Sequence, residues 1–114
     1  MKIQIRGHRT EVQPRWKNHI FERLSKLDRF EDRIVKVDYI LTSSHHHLKG
    51  NELCRITAKV PRKTIAIKRR SETMIGAIDA ASHILERQVQ TLWKDVKVRN
   101  RHNDEVRKVK RGLL

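Results

Sequence analysis

The amino-acid sequence predicts an α+β domain of order β-α-β-β-β-α, a four-stranded mixed sheet with two helices packed on one face. Three observations carry this. Apolar and polar residues alternate in four stretches, 2–6, 34–42, 54–60 and 64–69. In two others, opening at Pro14 and just after Ser71, apolar residues recur every three or four positions. Each strand so defined has one apolar face and each helix one apolar stripe, and laying both helices across one side of the sheet buries all of them in two layers.

The first strand is Lys2-Ile3-Gln4-Ile5-Arg6, with Ile3 and Ile5 on one face, and Gly7 is expected to end it. Two helix starts compete next. A capping box of Thr10 with Gln13 would hold Gln13 helical directly before a proline, which is disfavoured, so Pro14 is taken as the first helical residue. From there Trp16, Ile20, Leu24 and Leu27 mark a helix running to about Arg29 or Phe30. The second strand, 34–42, sets Val35, Val37, Tyr39 and Leu41 against Lys36 and Asp38. The polar segment 43–50 reads as a loop. In the third strand Cys54, Ile56, Ala58 and Val60 alternate with Arg55, Thr57 and Lys59. Val60-Pro61-Arg62-Lys63 has proline where a tight turn prefers it, which folds the chain into an antiparallel fourth strand. Ser71 is expected to cap the long second helix, whose inward stripe is Met74, Ala77, Ile78, Ala81, Leu85, Gln88 and Leu92. Gly76 weakens that helix by about 1 kcal/mol relative to Ala, so a close backbone approach is expected there. The pattern fades beyond Val96, giving a domain over 1–97 and a basic, flexible tail over 98–114. From Lys94 to the end there are eight Lys and Arg against three Asp and Glu.

A chain of 114 residues suits one core. Its 27 Lys and Arg against 13 Asp and Glu give a formal charge of +14, an excess that costs self-repulsion unless a polyanion neutralises it. Nucleic acid is the first partner to consider. No apolar run approaches the roughly 18 residues that span a bilayer, so no membrane partner is expected. The alternating N-terminus does not resemble a signal peptide, and the single Cys54 excludes an internal disulfide; both fit a reducing cytoplasm.

The charge is patterned. On the first helix Arg15, His19, Arg23, Lys26 and Arg29 fall within a sector of roughly 120°, beside the apolar stripe. On the second, His83, Arg87, Gln90, Lys94 and Lys97 share one face, which Arg99 extends. Helices packed side by side would bring both rows to one exterior, where they can meet several phosphates at once. Any helix spends Lys and Arg on its solvated side, and Glu22 and Glu86 interrupt these rows; it is the pair of rows, the tail and the total charge together that favour binding. The outer sheet face, with Lys2, Arg6, Lys36, Arg55, Lys59 and Lys68, is a rival surface. It has almost no aromatics for base stacking, so reading of single-stranded RNA bases is poorly supported there.

No catalytic constellation is present: no phosphate loop, no usefully spaced carboxylate pair and no nucleophile elbow. His45-His46-His47 reads as a solvated loop, since three adjacent histidines rarely aim at one ion, and no metal, cofactor or small-molecule substrate is expected. Cys54 reads as a core filler, Asp79 as a helix-dipole or local hydrogen-bonding group, and Trp16 and Trp93 as packing residues.

The segments HIFERLSKLDRF (19–30) and AIDAASHILERQ (77–88), in this order and spacing, resemble the bacterial ribosome hibernation promoting factor and ribosome-associated translation inhibitor family, over roughly residues 1–97. That resemblance implies a β-α-β-β-β-α domain on the small ribosomal subunit near the decoding region, blocking mRNA and tRNA and silencing ribosomes in stationary phase or stress. It implies rRNA contacts from Arg23, Lys26, Arg29 and Arg87; Lys94, Lys97 and Arg99 are added from the stripe. Family members commonly carry an Asp and a Tyr where this chain has Thr73 and Ile75, which puts any role of those groups in doubt. The lack of the additional C-terminal dimerisation domain of long-form members implies a short form, monomeric when free, and the basic end, where some short inhibitors end acidic, leaves its subtype open. A general structured-RNA-binding protein, such as an RNA chaperone or ribosome assembly factor, is the alternative.

Overall fold

The computed structural model describes the backbone of residues 1–43 and 52–112, with the side chains of 1–43 and 52–93. Its elements are β1 (Lys2–His8), α1 (Pro14–Leu24), β2 (Lys36–Thr42), β3 (Glu52–Val60), β4 (Lys63–Ser71) and α2 (Met74–Gly112). A 3-10 segment, Ser25–Phe30, continues α1, so the first helical stripe ends where expected but with a tighter last turn. The sheet order is β1-β2-β3-β4, with β1 parallel to β2 and the other neighbours antiparallel. The α+β class, the mixed sheet and the two helices on one side all match the sequence reading.

Side-chain alternation decides which sheet face is covered. Val37, Tyr39, Leu41, Cys54, Ile56, Ala58, Ile65 and Ile67 are buried beneath the helices. Trp16, Ile20, Leu24 and Leu27 descend onto them from α1 and its continuation, and Met74, Ala77, Ile78, Ala81 and Leu85 from α2. Burying a side chain such as Ile20 or Leu27 stabilises the fold by about 1.5–3 kcal/mol. Pro61 and Arg62 form the two-residue connection between β3 and β4; Arg62 takes φ 68°, the left-handed geometry of the second central position of a type II turn, in which proline is common at the first.

Several local expectations are corrected. Gly7 does not end β1, which runs on to His8; a Cβ at Gly7 would lie 2.1 Å from the Thr10 carbonyl oxygen, so glycine there admits the returning backbone. Val35 is 55% exposed, because it precedes β2 at the sheet's end, while Ile34 is buried. Ser71 closes β4, and the cap belongs to Thr73, whose Oγ1 accepts a hydrogen bond from the Gly76 N–H at 3.0 Å. Gly76 admits a side chain, not a backbone: a Cβ there would lie 2.5 Å from Ser71 Oγ. Gln88 is exposed and Leu92 only half-buried, because beyond Leu85 the stripe advances by four to Val89 and again to Trp93. The backbone of α2 is helical from Met74 to Gly112. The His45-His46-His47 run lies outside the described residues. No helix among the described residues is long and apolar enough to cross a membrane.

Two buried protic groups tie the core to pH. Tyr39 shares a 2.7 Å hydrogen bond with Ser82 of α2, and burial raises its phenol above the ordinary 10.0. Burial likewise pushes the Cys54 thiol from 9.0 up to about 12. Both shifts are upward, so the unfolded chain releases these protons first; the stability they hold is complete below the unfolded values and is lost as pH rises. The urea midpoint is therefore expected to hold steady around neutrality and fall progressively above the thiol's unperturbed 9.0, with Cys54→Ala reducing the early part of that fall.

Candidate nucleic-acid interface

The two helices run in the same direction. Each passes back over the sheet after a strand, and the strands preceding them, β1 and β4, are both parallel to β2. Contacts between the helices advance together: His19 meets Asp79, Arg23 meets Glu86 and Phe30 meets Trp93. Imidazole Nε2 of His19 lies 2.5 Å from Asp79 Oδ1. The Arg23 guanidinium lies between two acids, 3.3 Å from Glu86 Oε1 and 3.8 Å from Asp79 Oδ1. The Arg23 and Glu86 side chains are only 18% and 11% exposed. Their approach is one of charge without good hydrogen-bond geometry, since Arg23 Nε and Glu86 Oε1 are buried and lack hydrogen-bond partners. At the far end the Phe30 and Trp93 rings stack with centroids 5.1 Å apart, and the Arg29 guanidinium sits 4.7 Å above the Phe30 ring.

This seam sorts the predicted residues. Arg15, Lys26 and Arg29 on the α1 side are exposed, as are His83, Arg87 and Gln90 on α2. Because α1 and α2 lie side by side, both groups flank one seam. His19 and Arg23 instead turn into it and are engaged by acids. Lys94, Lys97 and Arg99 belong to the helical backbone of α2, but their side chains lie outside the described residues. Sequence reasoning took Asp79 for a dipole partner and Glu86 for an interruption of a basic face, and missed both as the counter-charges of α1. A signal was available: acids seven apart on one helix complement a His and an Arg four apart on the other, each set bordering an apolar stripe. Cys54 and Trp93 are buried as expected, and the described residues contain no cluster of three or more metal-ligating side chains.

Residues 3–97 match the family described as sigma 54 modulation protein / S30EA ribosomal protein. The chain belongs to that family. Among its curated relatives, the ribosome hibernation promotion factor of Bacillus subtilis (strain 168) is 30% identical over 92 residues, 79% of this chain and 47% of the relative. The protein of the same name from Deinococcus radiodurans is 32% identical, over 76% of this chain and 46% of its own length. The chain thus spans about half the length of these S30EA relatives. The ribosome hibernation promoting factor of Azotobacter vinelandii is 29% identical over 78% of this chain and 79% of its own. The fold is shared with a ribosomal subunit interface protein from Coxiella burnetii, with a TM-score of 0.71 at 23% identity, covering 82% of this chain and 99% of that one. The Protein Y N-terminal domain of Thermus thermophilus gives 0.68 at 22% identity, covering 81% and 99%.

The seam and its flanks are expected to respond differently to substitution. Arg23→Ala strands the buried Glu86 carboxylate and should cost about 1–3 kcal/mol of unfolding free energy, part of which returns when Glu86→Gln is added. Lys26→Ala and Arg87→Ala, at exposed positions, should each stay within about 0.5 kcal/mol of the parent. Urea denaturation of the four variants beside the parent measures both.

Proposed function

We propose that this chain is a ribosome hibernation factor that inhibits translation without catalysis. It docks on the small ribosomal subunit near the decoding region through the exposed flanks of the α1–α2 seam and occupies space that mRNA and tRNA need. The observation that carries this reading is the division of charge across the helix pair. Asp79 and Glu86 are engaged from within by Arg23, with His19 against Asp79, so Arg15, Lys26, Arg29 and Arg87 face outward beside acids that already have partners. Membership in the S30EA family and the hibernation-factor names of its relatives support the ribosome as the polyanion. In this reading Arg15, Lys26, Arg29, His83, Arg87 and Gln90 touch rRNA. Lys94, Lys97 and Arg99 extend the surface along α2, and His19 and Arg23 act as positioning residues. The protein works as a free monomer in the cytoplasm, and binding requires no metal or cofactor.

Phosphate contacts release counterions, so association should weaken steeply with salt, by close to one unit of logarithmic slope per phosphate contacted. In sucrose gradients of cell extract the protein should travel with small subunits or whole ribosomes at low salt and leave them at high salt. The triple variant Arg15→Glu, Lys26→Glu, Arg87→Glu should stay at the top of the gradient while melting within a few degrees of the parent. Co-sedimentation of that variant at parental levels would refute the assigned face. Binding of free duplex RNA as tightly as ribosomes would favour a general structured-RNA module.

A further inference from the structure

We propose that the helix-free face of the sheet carries a second site, a cleft for a phosphate-bearing nucleotide unit, rimmed by Arg6, Arg9 and Arg55 and floored by Ile40 and Leu53. Strand register assembles it. Arg6 of β1 is level with Ile40 of β2, which is level with Arg55 of β3, so two guanidinium groups rise on either side of one apolar side chain. Their strands are about 10 Å apart, two strand spacings. In the next row His8, Thr42 and Leu53 are level in the same way. Arg9, just past the end of β1 at φ 60°, turns back over the same hollow. Together these residues line a cleft of about 450 Å³, within the usual range for small-ligand sites.

The chemistry of the lining selects the ligand. Half-buried Ile40 supplies the accessible apolar surface of the floor, with Leu53, only 5% exposed, closing it beneath, which suits a flat ring. The exposed Arg6, Arg9 and Arg55 supply forked donors that match phosphate oxygens, and their planes stack on bases where aromatic side chains are lacking. No carboxylate is among the described lining residues. Asp38, on the same face, is held 3.4 Å from Lys36 Nζ. An inorganic anion would leave the floor unused, and an apolar ligand would leave the cations unused; a nucleotide uses both. The site lies on the opposite side of the sheet from the helix seam and does not depend on the ribosomal reading. Its ligand is either a free nucleotide or one unit of an RNA strand.

Calorimetric titration of the full chain with guanosine 5′-triphosphate, guanosine, inorganic tripolyphosphate and a 5′-phosphorylated tetraribonucleotide tests this. Saturable one-site binding of the triphosphate or of the tetranucleotide is expected, weakened about tenfold or more by Arg6→Ala or Arg55→Ala and abolished by Ile40→Glu. Lys17→Ala, at an exposed position of α1, should leave it unchanged. Binding of the free nucleotide identifies a small-molecule site, and binding of the tetranucleotide alone identifies an RNA strand as the source. Tripolyphosphate binding as tightly as the nucleotide would reduce the cleft to a plain cationic patch and overturn the proposal. So would the absence of saturable binding by either nucleotide probe, or parental affinity in the Arg6→Ala and Arg55→Ala variants, whose folding is checked by thermal melting.

Discussion

The way α1 and α2 meet governs where every cation on the helical side points, and they meet through Arg23. Both helices must lie on one sheet face, because that face carries the extended apolar surface that both stripes need to cover. Two parallel helices laid side by side leave a seam that is too shallow to be wholly apolar and too enclosed to be freely solvated. The chain fills it with a guanidinium between Asp79 and Glu86, an imidazole against Asp79, and stacked aromatic rings at the far end. A buried ion pair contributes little net stability once desolvation is counted, but its partners cannot be removed singly without leaving an uncompensated charge. The seam therefore fixes the relative placement of the helices more than it strengthens their association.

That arrangement also explains why the positive excess divides between two surfaces. On the helical side Asp79 and Glu86 face across the seam and cations remain at its flanks. On the helix-free side of the sheet the period of two aligns Lys2, Lys36 and Lys59 across neighbouring strands, and Arg6, Arg55 and Lys68 across another row. The domain is thus cationic on both of its broad faces, with an apolar layer between them. A polyanion bound to one face would relieve only part of the self-repulsion.

Strands were legible in the sequence because period two is short and leaves little room for phase error: β3 matches its alternation from Cys54 to Val60. The start of α1 was legible because Pro14 fixes a first helical turn, and the β3–β4 turn because Pro61 fixes the next. Phase was harder along α2. Gln88 and Val89 both fall near the inward line, and only tertiary packing, through Val89 and Trp93, decides between them. The cap was displaced from Ser71 to Thr73 because ladder pairing with Glu52 keeps Ser71 in β4. The polar seam was least legible. A basic residue beside an apolar stripe looks the same whether it reaches water or a neighbouring helix, so His19 and Arg23 were grouped with Arg15, Lys26 and Arg29 although the fold sends them elsewhere. Family resemblance could not separate them either, because relatedness identifies the domain and not the rotamer.

The sole cysteine has a practical corollary. Cys54 is fully enclosed on the central strand β3, so an aqueous thiol reagent reaches it only when the sheet and the helix layer part. Its alkylation rate is a built-in clock for whole-domain opening, read from one atom without any label. Any cysteine introduced on a broad face would be the one promptly reactive position, ready to carry a reporter.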